Sequence, residues 1–224
     1  MAQVPYNPLD KSNLGRSIAE ALLDVPVAPL TREETGKLVG AGIYAIYYTG
    51  GFPPYAPLVA KNLNGAFEQP IYVGKAIPEG ARKGGMMFDS SKGGALKNRL
   101  RNHMRSINAA TTTLDPEAFW FRSIVVDDVW IPLGESMMIQ LFQPIWNVLI
   151  DGIGNNTPGK GRPDQKKSFW DMLHQGRKAF DNLPDNLVTV PEIEQRLSDY
   201  FAGKSVPLAA PEDEVDEGAE DPEG

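Results

Sequence analysis

Six polar side chains, taken in chain order, have the types that cleave a phosphate ester: Tyr44, Tyr72, Arg99, His103, Glu135 and Asn147. Hydrolysis of a phosphodiester needs an activated water, neutralisation of a phosphate whose charge rises in the transition state, and stabilisation of the departing oxygen. Arginine offers a forked cation suited to phosphate. Histidine and tyrosine are proton-transfer groups, the phenol only if its pKa falls from near 10. Each residue also has a plainer reading. Tyrosine is a good strand former, aromatic pairs stabilise sheets, and an acid at the start of a helix is favoured by the helix dipole. With no cysteine in the chain, disulfides, thiolate metal sites and a cysteine nucleophile are excluded. The two histidines, His103 and His174, lie too far apart to form a local His-rich metal motif.

The elements that must position these groups read clearly. Two runs, Gly42-Ile43-Tyr44 onward and Ile71-Tyr72-Val73-Gly74, combine β-branched and aromatic residues bounded by Gly or Pro, the signature of strands. Residues 50–70 between them, rich in Gly, Pro and Asn, form a long insertion of the kind that serves function or partners. A basic, glycine-rich loop follows over 78–94. The spacing of Leu96, Leu100 and Ile107 predicts a helix over 95–107, on which Arg99 and His103 share a face one turn apart. A third strand is expected over 119–126, then a helix over 133–142 with Glu135 in its first turn, closing before Pro144. Upstream, Ile18, Leu22 and Leu23 mark one helix, and Thr31 with Glu34 starts a second, shorter one. Downstream, helices are expected from Trp170 and over 191–202.

Charge divides the 224-residue chain unevenly. The net charge is −7, yet the segment from Ser205 onward holds eight acids and no Lys or Arg, leaving 21 acids against 22 bases in the rest. Basic residues concentrate over 75–105 and 160–178, which suits an anionic partner better than the overall charge suggests. At 42% hydrophobic and 23% charged, with neither a signal-peptide run nor a membrane-length apolar window, the chain reads as a cytoplasmic globular protein with no membrane association. The organisation expected is an N-terminal helical arm (1–40), a core (41–150) with the 50–70 insertion, a C-terminal extension (151–204) and a disordered acidic tail (205–224).

The ordered set resembles the GIY-YIG nuclease superfamily over about residues 40–148. The resemblance rests on Gly42-Ile43-Tyr44, on Tyr72-Val73-Gly74, where Val73 replaces the usual isoleucine, on the Arg99 to His103 helix, and on the lone helical Glu135 with Asn147 beyond it. Three longer runs are similar to one branch, the type II restriction endonucleases that cut GC-rich palindromes: Ala41-Gly42-Ile43-Tyr44-Ala45-Ile46-Tyr47-Tyr48-Thr49-Gly50, Pro70-Ile71-Tyr72-Val73-Gly74-Lys75-Ala76, and Asp151-Gly152-Ile153-Gly154-Asn155-Asn156-Thr157-Pro158-Gly159-Lys160-Gly161-Arg162. The gap between the two words is longer than in the minimal module, and the acidic tail has no counterpart in the family pattern.

This resemblance implies an α/β fold of the α+β type, a small three-stranded, mainly antiparallel sheet flanked by helices, with helical extensions at both ends. It implies that Glu135 holds one divalent ion per active site, Mg²⁺, which prefers oxygen ligands and keeps several waters. Arg99 is expected on the scissile phosphate, and Tyr44 as general base or as the group orienting the attacking water. Tyr72 is expected to bind phosphate or orient water, His103 to share proton transfer, and Asn147 to orient a ligand or phosphate. Lys75 is a supporting cation near Tyr44. The division of labour between Tyr44 and His103 stays open. Arg82, Lys83, Lys92, Lys160, Arg162 and Arg177 are the expected DNA contacts, since arginine reads guanine through O6 and N7. A palindromic target implies a homodimer on double-stranded DNA. A DNA methyltransferase acting separately on the same site would complete a restriction-modification system, and the sequence does not identify one. The rivals are a structure-specific or nicking nuclease and an inert DNA-binding module on the same fold.

Overall fold

The computed structural model describes residues 10–77, 89–155 and 165–208. The chain opens with α1 (Lys11–Leu23), capped by the Asp10 carboxylate accepting from the Ser12 amide at 3.1 Å. After the two-residue strand β1 (Ala28–Pro29), the Thr31 hydroxyl takes the Glu34 amide at 3.2 Å and starts α2 (Arg32–Gly36). Strand β2 (Gly42–Tyr48) is buried at every position. Its side chains alternate as period-two geometry demands: Tyr44, Ile46 and Tyr48 enter one apolar cluster, and Ile43, Ala45 and Tyr47 enter another on the opposite face.

The 50–70 insertion carries α3 (Ala56–Ala60) and is built into the core through Tyr55 and Leu58. Buried Asn62 fastens its ends, donating to the carbonyls of Tyr48 (3.1 Å) and Gln69 (2.8 Å) and accepting from the Gln69 amide (2.9 Å). Strand β3 (Tyr72–Ala76) follows, then α4 (Ala95–Ala109), β4 (Phe119–Val125) and α5 (Ile131–Phe142). The sheet is fully antiparallel with order β1-β4-β2-β3. Among the described residues it has four strands where three are expected from the sequence. The extra one, β1, lies at the edge against Phe121 and Trp120, where a proline is tolerated and two residues carry no alternation to read.

Helix α5 begins at Ile131, with Pro132 in its first turn, two residues earlier than expected. Glu135 therefore sits in the second turn, so the helix-dipole explanation for an acid at that position loses its force. Close approach of α1 fixes this helix. A Cβ on Gly15 would lie 3.0 Å from Met137 Cβ, and one on Gly134 would lie 2.7 Å from Ile18 Cγ2. The N-terminal arm thus packs on both sides of the Glu135 turn.

Beyond α5 come α6 (Ile145–Val148), α7 (Phe169–Leu173) and α8 (Val190–Phe201), the last opened by a Thr189–Glu192 capping box. Trp146, Trp170, Leu173, Ile193 and Leu197 join the same core as Tyr44. Within it, His174 Nε2 is 2.7 Å from Tyr55 Oη, His174 Nδ1 is 2.9 Å from Thr113 Oγ1, and Trp146 Nε1 donates to Tyr55 Oη at 2.9 Å. Burial lowers the His174 pKa to about 3.

A pH dependence of stability follows. In the unfolded chain His174 titrates near 6.5, so below that pH the unfolded state binds a proton that the native state refuses. Stability is complete above about pH 6.5 and should fall by roughly 1.4 kcal/mol per pH unit per such histidine as the pH drops toward 5. His103, also held low by burial, adds in the same direction. Urea unfolding of wild type and His174→Gln between pH 7.5 and 5 measures it, and the variant should show a shallower slope.

Candidate active site

The site is organised around β3, the edge strand, whose successive residues each position one group. Tyr72 and Gly74 face α4, whereas Lys75, opposite Ile43 across the β2–β3 ladder, faces α5. Gly74 lies opposite Tyr44. A Cβ there would stand 2.4 Å from Tyr44 Oη and 2.8 Å from Tyr72 Cε1, so the glycine leaves the space that the Tyr44 ring fills. Gly74→Ala is expected to displace that ring, costing about 1–3 kcal/mol of stability by overpacking. Gly51→Ala, where an added Cβ meets nothing within 4 Å, is the control. Denaturant midpoints together with the cleavage rate would report the difference.

Tyr44 Oη is 2.7 Å from His103 Nε2, and both side chains are buried. Tyr72 completes an aromatic trio, with ring centroids 6.2 Å from Tyr44 and 4.9 Å from His103. His103 reaches this place because it shares the buried stripe of α4 with Leu96, Leu100 and Ile107. Burial first, then the positive charges of Arg99 and Arg177, hold its pKa well below the usual histidine range. It is therefore neutral at neutral pH, and a neutral imidazole protonated on Nδ1 presents Nε2 as an acceptor for the tyrosine hydroxyl. Among the described residues, Nδ1 has no hydrogen-bond partner.

On the other face of the same strand, Lys75 Nζ lies 3.0 Å from Glu135 Oε2, the two side chains 22% and 17% exposed. Asn147, from α6, holds the strand itself. Its amide accepts from the Val73 amide and donates to the Val73 carbonyl, both at 2.8 Å, supplying the pairing that a neighbouring strand would give. The adjacent Trp146 amide donates to the Ile71 carbonyl at 3.0 Å. Both ends of the Asn147 amide are engaged by the Val73 backbone, so the side chain ties α6 to the strand that carries Tyr72 and Lys75.

The expected DNA contacts fare differently. Arg177, expected to meet DNA, is 8% exposed and sits inside the protein. Its guanidinium forms a two-pronged pair with Asp171 (Nε–Oδ1 2.8 Å, Nη2–Oδ2 2.7 Å), donates to the Gly152 carbonyl at 2.9 Å and lies 4.0 Å from the Phe180 ring centroid. A guanidinium so enclosed fastens α7 to the 152–153 backbone, and the assignment to DNA is corrected. Lys92 is exposed and paired with Asp89 at 2.8 Å. Arg82, Lys83, Lys160 and Arg162, and the acidic tail from 209 onward, lie outside the described residues.

Among the described residues no group of three or more His, Cys, Asp or Glu could jointly hold a metal. Glu135 presents a carboxylate on the far face of β3, paired there with the Lys75 ammonium. One carboxylate completed by water and phosphate oxygens is a donor set that Mg²⁺ accepts. The part of the site that sequence reading misses is Gly74 as the floor under Tyr44. A glycine following two strand-forming residues is the available signal, since an interior strand glycine marks close approach. No helix among the described residues is long and apolar enough to cross a membrane.

A family model described as the Eco29kI GIY-YIG domain matches residues 36–201, a span that runs from before β2 through α8 and contains all six groups of the candidate site. No curated protein matches the chain. The match covers well over half the chain and coincides with an antiparallel sheet that brings the two motif tyrosines beside the α4 histidine, so the protein belongs to the Eco29kI family of GIY-YIG domains, which are nucleases of the restriction endonuclease type.

Proposed function

We propose that the protein is a metal-dependent type II restriction endonuclease that cuts both strands of duplex DNA within a GC-rich palindrome, acting as a homodimer in the cytoplasm. The observation that carries this reading is the 2.7 Å hydrogen bond between Tyr44 and His103, a histidine on the same helix as Arg99, whose charge reaches it, with the Glu135 carboxylate across β3. The family match and the 151–162 run support the restriction branch, and a two-fold target supports two-fold assembly.

In this reading Arg99 binds the scissile phosphate through its guanidinium fork. Tyr44 takes a proton from the attacking water as its own hydroxyl proton passes to Nε2 of neutral His103, so no free phenolate has to form at neutral pH. Tyr72 orients the water or phosphate, and Asn147 holds β3 and hence the spacing of both tyrosines. A divalent metal bound at Glu135 would neutralise charge on the phosphate and the departing 3′ oxygen. Because Tyr44 and His103 are buried in the free protein, the DNA complex must bring solvent to Tyr44 Oη.

The test is a digest of a long, fully sequenced DNA by the purified protein in Mg²⁺, with EDTA as control. Discrete fragments ending within one palindrome support the reading. Nicked circles or cleavage without fixed ends would assign a structure-specific or nicking nuclease instead. Retention of labelled duplex with no cutting in any divalent metal would leave a binding module.

A further inference from the structure

We propose that Lys75 is the resident cation of the Glu135 carboxylate in the DNA-free protein and is exchanged for the divalent metal as DNA phosphate arrives, so that metal and DNA bind cooperatively. This inference rests on the reading of Glu135 as the metal ligand.

The pair is short, at 3.0 Å, and more than three quarters of each side chain is out of solvent. Charges in such a place interact more strongly than a surface pair, because the effective dielectric is far below that of water. A dication approaching the same carboxylate meets the Lys75 ammonium as a like charge. No group of three or more His, Cys, Asp or Glu that could hold the dication lies among the described residues. Lysine and glutamate together are neutral, so a dication added to them alone leaves two uncompensated positive charges. A bound phosphate diester supplies the missing negative charge and gives the ammonium another partner.

Lysine suits such an exchange. It is a point charge on a four-carbon stem, not a rigid fork that a carboxylate holds in two places. Its backbone position is fixed next to Gly74, under Tyr44, so the side chain can change partners without moving the strand. The consequence is order. The free protein carries little metal, and the complete charge set forms only on DNA. By linkage, whatever metal gains from DNA, DNA gains from metal.

The experiment is Mn²⁺ binding to the full chain without DNA, followed through the EPR signal of free Mn²⁺, for wild type, Lys75→Met and Lys75→Arg. Lys75→Met should bind Mn²⁺ more tightly than wild type, within the roughly 5- to 150-fold range of ordinary coupling. Lys75→Arg should stay as weak as wild type. The gain should vanish in Lys75→Met with Glu135→Gln. Lys75→Gln carries the same expectation if the methionine variant fails to fold.

Unchanged or weaker Mn²⁺ binding by the neutral variants overturns the proposal. The same titration with linear plasmid DNA, in a Tyr44→Phe background that slows cutting, separates the two levels. If Glu135-dependent Mn²⁺ binding appears with DNA while the neutral variants gain nothing without it, the exchange falls and the metal reading stands. Failure of every protein to bind Mn²⁺ through Glu135, with or without DNA, removes both.

Discussion

Tyr44→Phe is expected to slow single-turnover cleavage by about 10²- to 10⁴-fold, the range that a positioned proton-transfer group contributes. The substitution removes one oxygen and keeps the ring that fills the space over Gly74. Packing should therefore survive, and the main structural cost is the acceptor left without a donor at His103 Nε2, about 1–3 kcal/mol. DNA affinity should hold, because the hydroxyl lies inside the protein in the free state. Preforming the DNA complex and starting the reaction with Mg²⁺ isolates the chemical step. A rate near that of wild type would exclude Tyr44 from proton transfer and shift the base to His103 or to water. The same measurement on Tyr72→Phe provides the comparison, since Tyr72 belongs to the aromatic trio and Tyr44 holds the short bond to the imidazole.

Glu135→Gln should abolish cleavage while leaving DNA binding in place. The substitution conserves shape, so α5 keeps its packing against α1 through Gly15 and Gly134. What changes is charge. The amide is a poor ligand for Mg²⁺, and the Lys75 ammonium loses its carboxylate partner. Losing that largely buried ion pair should cost more than a surface pair would, because the Lys75 ammonium is deprived of its carboxylate, and urea unfolding of the variant beside wild type reads the cost. In metal-free buffer, removing a negative charge beside the phosphate path should tighten DNA binding slightly and make it more sensitive to salt, whereas in Mg²⁺ the variant lacks the affinity that bound metal lends to wild type. Filter binding or fluorescence anisotropy, run beside a cleavage assay sensitive to one part in a thousand, reads both. Cutting by a preparation free of wild type would take Glu135 out of the metal role, and loss of DNA binding would mean that the carboxylate matters for the fold.

Much of the scaffold was legible from one chain because its signals are local. A run of β-branched and aromatic residues makes β2 a strand wherever it is buried, and the 3.6-residue period puts Arg99 and His103 on neighbouring positions of one helix. The order of the six polar groups along strand, strand, helix and helix was enough to name the superfamily, and the family match over residues 36–201 agrees. The roles of those groups within the site rest on the geometry and on the experiments proposed here.

Non-local packing decided the rest. Tyr72 and Lys75, three apart on one strand, necessarily face opposite ways, yet only the docking of α5 on the far face brings Glu135 to the lysine. Asn147 could be read as any turn residue until the edge of β3, which no further strand pairs among the described residues, claimed both ends of its amide. Arg177 shows the limit most directly. An arginine in a basic segment is by default a solvated or DNA-facing charge, and nothing in its neighbours announces burial. Its partner Asp171 is six residues away, and the carbonyls it binds are some twenty-five residues upstream. The desolvation of that guanidinium is balanced only once α7 has packed, so its fate belongs to the tertiary structure. The sequence by itself determined which elements form and which residue types they carry. The tertiary structure determined which charges face each other, because charge pairing depends on distance through space and distance along the chain does not encode it.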